Sequence, residues 1–182
     1  MRQSFSFFYP EFSFSIRRTS SLGNKKGIGS SLNNLSAAEL ALENTAQAER
    51  CIKLAIQNAE ERLSELSASY RDAPYDDLSD ETKKLMRVLS DRRGNLAVIY
   101  LEKNRFADAF EVIENALSDD KKIYYVRGLV VKQGILGQWY LKQKEVLSAE
   151  RILVSALQFI RRRDERMFNE QWNHEVSTAL FV

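Results

Sequence analysis

Apolar residues along this chain recur every three or four positions, the period of an amphipathic helix, and no strand is predicted anywhere. The row Ile52, Ile56, Ala59, Leu63, Leu66 and Tyr70 advances by steps of 4, 3, 4, 3 and 4, which keeps one apolar stripe on one helix face. One long amphipathic helix, or two nearly continuous ones, is therefore expected over 35–70. Its heptad spacing is too short for a free-standing coiled coil, so the stripe is expected to pack on the rest of the chain. Arg71-Asp72-Ala73-Pro74-Tyr75-Asp76-Asp77 breaks that helix, and Ser79-Asp80-Glu81 offers the next one a cap and N-terminal acids. Beyond Pro74 no proline interrupts the chain, and helices are predicted over 79–103, 105–117, 119–143, 145–162 and 164–181. The predicted fold class is all-α.

Self-similarity sharpens this reading. A shift of 40 residues pairs Arg87 with Arg127, Leu89 with Leu129, Gly94 with Gly134, Leu96 with Leu136, Tyr100 with Tyr140 and Leu101 with Leu141. It also pairs Asp80 with Asp120, Ala109 with Ala149, Ala116 with Ala156 and Leu117 with Leu157. Small residues at fixed places in such a pattern mark close helix contacts.

The set Leu96, Ala97, Tyr100, Phe106, Ala109, Ile113 and Ala116, repeated as Leu136, Gly137, Tyr140, Val146, Ala149, Leu153 and Ala156, resembles the tetratricopeptide (TPR) hairpin pattern. The resemblance covers residues 80–158 in two copies. An upstream half-repeat is suggested by Ala48, Ile52 and Ala55, and a degenerate further helix by Val176, Ser177 and Leu180. The period is about 40 residues, where the common repeat has about 34; the first-helix Trp and the closing Pro are absent. The resemblance implies an α-solenoid of antiparallel helical hairpins, capped by the long N-terminal helix and the C-terminal helix.

Composition divides the chain into a leader and a folded part. Residues 1–34 hold Arg2, Arg17, Arg18, Lys25 and Lys26 against the single acid Glu11, a net +4, so residues 35–182 carry −2. The leader is rich in Ser and Arg and poor in acids, as organelle transit peptides are, and Phe5, Phe8, Phe12 and Ile16 fall at near-helical spacing across Pro10. It is expected to be a disordered tail or a mitochondrial or plastid address. Arg17-Arg18-Thr19-Ser20 also has the form of a basophilic kinase site. The domain division expected is 1–34, then 35–78 as long helix and linker, then 79–182 as repeats. With no apolar run near the roughly 20 residues that span a bilayer, a soluble chain in the cytoplasm or a mitochondrion is expected. The acidic balance of the folded part argues against nucleic-acid binding.

Chemistry finds little purchase. His174 is the one histidine and Cys51 the one cysteine, so neither a zinc site nor a Cys-His or Ser-His-Asp arrangement is expected. Cys51 sits among apolar helix residues, where a buried inert thiol is expected. Gly23-Asn24-Lys25-Lys26-Gly27-Ile28-Gly29-Ser30 follows no strand and lacks phosphate-loop spacing, and it reads as a flexible linker. Glu43, Glu49, Glu60, Glu61 and Glu65 lie on a polar helix face. Arg161, Arg162, Arg163 and Arg166 are interleaved with Asp164 and Glu165 and suit a helix C-terminus. Trp139 and Trp172 are candidate exposed anchors, but Trp139, beside Tyr140, is expected to pack between helices. No enzyme, cofactor or metal is expected.

The resemblance implies a scaffold that binds a protein or peptide partner on a concave surface made of first helices. Asp91, Asn95, Val98 and Glu102 of one repeat and Ile135, Gln138 and Lys142 of the next would line that groove. The family's clamp for acidic chaperone tails needs Lys, Asn and Arg where this chain has Gly94, Val98, Ile135, Gln171 and Glu175, so such a co-chaperone role is not expected. An organellar assembly factor or structural subunit is the alternative reading.

Overall fold

A computed structural model of the chain describes residues 25–66 and 70–166. The expected leader up to residue 24 lies outside the described residues. So do the predicted last helix beyond Arg166, Trp172, His174 and the Val176 to Leu180 pattern. Within the described residues there are six α-helices and no strand: α1 (Lys25–Ala41), α2 (Thr45–Leu66), α3 (Asp80–Glu102), α4 (Phe106–Lys122), α5 (Val126–Lys142) and α6 (Val146–Arg166). A single 3-10 turn, Tyr75–Asp77, sits in the connection between α2 and α3. The all-α expectation holds for these residues.

Helix boundaries correct the sequence reading in three places. The helix expected over 35–70 is two helices, α1 and α2, packed on each other as a hairpin. Residues 25–34, read as leader and glycine linker, are the first half of α1. Gly29 there serves contact: a Cβ on it would collide with the Arg92 guanidinium and the Asn58 amide, while Leu32 of the same helix is buried. At the other end, α4 runs on to Lys122, α5 starts only at Val126, and α6 continues to Arg166 through the break expected near 163. The 40-residue shift matches α5 and α6 to α3 and α4, but Asp80 and Asp120 are not equivalent. Asp80 opens α3, whose N-cap Ser79 accepts from Thr82 N–H at 3.1 Å, whereas Asp120 is fully buried near the end of α4.

Four of the helix connections are one device. In each, three residues separate the helices and the middle one takes a left-handed conformation: Glu43 (φ 62°), Asn104 (φ 55°), Tyr124 (φ 51°) and Lys144 (φ 64°). The N–H of Arg105 returns to Tyr100 O (2.9 Å), that of Tyr125 to Asp120 O (2.8 Å), that of Glu145 to Tyr140 O (2.9 Å) and that of Asn44 to Glu39 O (2.8 Å). This six-to-one bond satisfies a carbonyl at the helix end and reverses the chain tightly. Three of the four residues are neither Gly nor Asn, so the turns carry a conformational cost that the packing of the hairpins offsets.

The core is the meeting of these hairpins. Ala48, Ile52 and Ala55 of α2 and Ala109, Ile113 and Ala116 of α4 are all fully enclosed, and Ala149 and Ala156 occupy the matching places on α6. The residues that suggested an upstream half-repeat sit in a whole hairpin, offset by 61 residues from its successor because α2, the α2–α3 connection and α3 are each longer than their counterparts. On the facing helices Ser36, Ala97 and Gly137 hold the small-residue position. Ser36 Oγ donates to Ala48 O at 2.8 Å, and a Cβ on Gly137 would meet Leu153 at 2.7 Å. Cys51 is buried as expected, and burial raises its thiol pKa.

Ion pairs tie one hairpin to the next. Arg93 of α3 joins Glu60 of α2 (2.8 Å) and Asp119 of α4. Glu49 of α2 receives Lys103 (2.5 Å), Arg105 (2.9 Å) and Lys53 (2.6 Å), so it does more than face solvent. Burial alone would raise the Glu49 pKa, but the hydrogen bonds of Lys103 and Lys53 outweigh it and hold the carboxyl at about 2.

Candidate protein-binding groove

Along one side of the molecule α3 and α5 run as neighbours, each the first helix of its hairpin. The middle of α3 and the N-terminal part of α5 border an open pocket of about 290 Å³ lined by Asp91, Gly94 and Asn95 of α3, by Arg127, Val131, Lys132 and Ile135 of α5, and by Tyr125. Three of the seven expected groove residues, Asp91, Asn95 and Ile135, meet here. At the opposite end of the helices Lys142 pairs with Glu102 at 3.6 Å, so these two expected residues also face each other. Gln138 is exposed on α5 between the two ends. Val98 departs from expectation: it packs against the hydrophobic core, because its position on α3 turns it toward the neighbouring helices.

A buried charge cluster forms the floor beside the pocket. The Lys132 side chain is only 1% exposed, and its ammonium lies 2.8 Å from Asp91 Oδ1 and 3.2 Å from Asp120 Oδ2. Tyr125 OH donates to the other Asp91 oxygen at 3.3 Å. Asp120 is fully enclosed, and neither of its oxygens has a directed hydrogen bond among the described residues. Burial pushes its carboxyl up to about 6, with Lys132 pulling the other way. Burial and then the Asp91 carboxylate raise the Tyr125 phenol. Gly128 makes room for this cluster, since a Cβ there would run into Asp120 and Tyr125.

The sequence reading missed Tyr125, Arg127, Val131, Lys132 and Asp120. One signal was present. Lys132 interrupts the apolar row Leu129, Leu136 and Tyr140 on the buried face of α5, and a cation at such a place needs an acid nearby. The 40-residue shift also pairs it with Arg92, another enclosed cation, whose Nη1 donates to Ala55 O at 2.5 Å and whose pKa burial lowers to about 10. Trp139 is half-buried, donates to Phe106 O at 2.7 Å and packs on Phe110 and Tyr140, between helices as expected. Among the described residues no group of His, Cys, Asp and Glu is arranged to hold a metal ion, and no helix is long and apolar enough to cross a membrane.

Comparison with family models, with curated proteins and with solved structures returns no match for this chain.

Proposed function

We propose that this chain is a non-catalytic scaffold whose hairpins form a TPR-like α-solenoid and hold a protein or peptide partner in the groove between α3 and α5. The observation that carries this reading is the pocket itself, with exposed Asp91, Asn95 and Arg127 around the apolar Val131 and Ile135. Such mixed linings suit an extended segment that offers both backbone and side-chain contacts. The three hairpins with a recurring left-handed turn and recurring small-residue contacts support the solenoid part of the reading. The non-catalytic part rests on how the charges are used: Asp120, the carboxyl raised toward neutrality, is sealed from any substrate, and Lys132 is taken up by Asp91 and Asp120.

The test is affinity capture from native cells with the full chain, read by mass spectrometry, against the double variant Asn95→Arg and Gln138→Arg. Both positions are exposed, so the variant should keep its circular dichroism and melting temperature. A partner captured by the parent and lost from the variant supports the groove. Equal capture by both removes it.

A further inference from the structure

The junction between the α3–α4 and α5–α6 hairpins encloses an acid where the junction before it has alanine. The 61-residue offset that matches Ala48 to Ala109 also matches Ala59 of α2, fully buried, to Asp120 of α4. The enclosed cations correspond as well: Arg92 donates to Ala55 O, whereas Lys132 faces Asp120 and Asp91. Alanine thus suffices where two hairpins pack, and Asp120 adds a charge that the contact does not need. Its surroundings suit that charge poorly. From α5 it meets the Lys132 ammonium, which it shares with the Asp91 carboxylate of α3. From α3 it also meets Ser90 Oγ, within hydrogen-bonding reach, but this enclosed hydroxyl gives its one proton to Ala116 O at 3.2 Å. Tyr125, in the α4–α5 connection, gives its proton to Asp91. Arg87 of α3 lies 5.7 Å from the Tyr125 ring, and Arg127 of α5 stands at the rim of the pocket. On α4 itself Asp119 is taken up by Arg93, and Lys122 by the Tyr70 carbonyl. Two carboxylates therefore divide one ammonium, and one of the two is sealed from water.

We propose that Asp120, Ser90 and Lys132 form a proton-operated clasp between the two hairpins. When Asp120 takes a proton from solvent, its hydroxyl donates to Ser90 Oγ, Lys132 is left to Asp91, and the α5–α6 hairpin is held more tightly against α3 and α4. The neutral carboxyl fits this site in both of its roles. It supplies a donor to Ser90, whose own proton is committed elsewhere, and its carbonyl oxygen still accepts from Lys132. Ionised, the same group offers only acceptors to a hydroxyl with no proton to spare, and it competes with Asp91 for the ammonium. The formal charges of Asp91, Asp120 and Lys132 sum to −1 without the proton and to zero with it. Opening the hairpin exposes Asp120, which then titrates near its usual 3.8, whereas burial holds it at about 6 when closed. The proton therefore favours the closed hairpin, and closure weakens as pH rises through 6. The clasp stands behind the wall of the pocket and operates whether or not the groove holds a partner.

The experiment is amide hydrogen exchange of the purified full chain, read by mass spectrometry at intervals from pH 5 to pH 8 with the intrinsic exchange rates divided out. Peptides of α5 and α6 should open about tenfold more at pH 8 than at pH 5, the ratio expected of a group that titrates at about 6 closed and 3.8 open. Asp120→Asn keeps the shape and donates to Ser90 from its amide, so it should hold the low-pH protection throughout. Ser90→Ala, close in size, removes the acceptor of the neutral form and should move the midpoint of the change to lower pH. Equal protection of α5 and α6 at pH 5 and pH 8 overturns the proposal, and so does a pH dependence that Asp120→Asn leaves in place. A midpoint that moves upward in Ser90→Ala overturns it too, because Ser90 would then be a donor to the ionised form. Ser90→Ala carries the test by itself should Asp120→Asn lose its helix content. None of these readings uses the captured partner, so failure here and failure of the groove are separable.

Discussion

The α3–α4 and α5–α6 hairpins share a turn, a set of small residues and a 40-residue register, yet one is interior and the other is surface. Leu101 is 1% exposed and Leu141 is 50% exposed. Nothing local separates them: both precede a three-residue turn with the same hydrogen bonds, Asn104 N–H to Leu101 O at 3.1 Å and Lys144 N–H to Leu141 O at 3.0 Å. What differs, among the described residues, is the neighbour: α5 lies against both α3 and α4, whereas beyond them α5 meets only α6. A position in packed hairpins acquires its burial from its neighbour, so the same apolar residue is enclosed in one hairpin and exposed in the other.

The largest expected effect comes from cutting the charge cluster that fastens the two hairpins. Lys132→Met leaves Asp120 enclosed without its ammonium and should cost about 3–5 kcal/mol near neutral pH, measured by urea denaturation. The cost should shrink at pH 5. A carboxyl raised on folding to about 6 from its usual 3.8 binds its proton more tightly in the folded chain. Its contribution therefore favours folding below the unfolded value and is lost as pH rises through 6, and removing Lys132 raises it further. An equal cost at pH 8 and pH 5 would show that Asp120 does not carry the penalty.

Next in size is the leucine pair itself. Leu101→Ala should cost about 2–5 kcal/mol and Leu141→Ala under about 1 kcal/mol in dilute protein. Equal costs in dilute protein would break the comparison.

Overpacking tests where the hairpins remain alike. Ala109 and Ala149 are 0% and 1% exposed, so Ala109→Leu and Ala149→Leu should each cost about 1–3 kcal/mol in thermal melts. Variants that both melt like the parent would show that the two positions are not equivalent helix contacts.

The smallest effect belongs to the turns. Lys144→Gly should stabilise the chain by about 0.5–1 kcal/mol, since a residue with a Cβ pays for φ 64°. Asn104→Gly should change little, because asparagine tolerates the left-handed region. Equal gains from both would mean that the side chain at these turns does not set their cost.

Much of this fold was legible from the chain alone, and for a local reason. Helical period, the cap at Ser79 and the absence of proline after Pro74 act within a few residues, so they predicted the helical class and most of the α3 to α6 hairpins. The 40-residue shift carried the alignment of Leu101 with Leu141 and of Ala109 with Ala149. Of the candidate groove, Asp91, Asn95 and Ile135 were legible, because a first-helix register fixes which residues share a side. Lys132 and Asp120 were not, because pairing a buried cation with an acid twelve positions earlier requires knowing that α4 and α5 cross there.

What the sequence could not determine is what depends on contact between distant segments. Composition assigned Gly27, Ile28 and Gly29 to a flexible leader, yet α1 begins at Lys25 because Leu32 is buried in the core and the Arg92 guanidinium lies against Gly29. A weak helix former becomes helical when a partner face covers it. The burial of Leu101 and the exposure of Leu141 have the same origin. The sequence by itself set the period and the turns; only the tertiary structure decided which faces meet, since burial is a property of two surfaces and each stretch of sequence describes one.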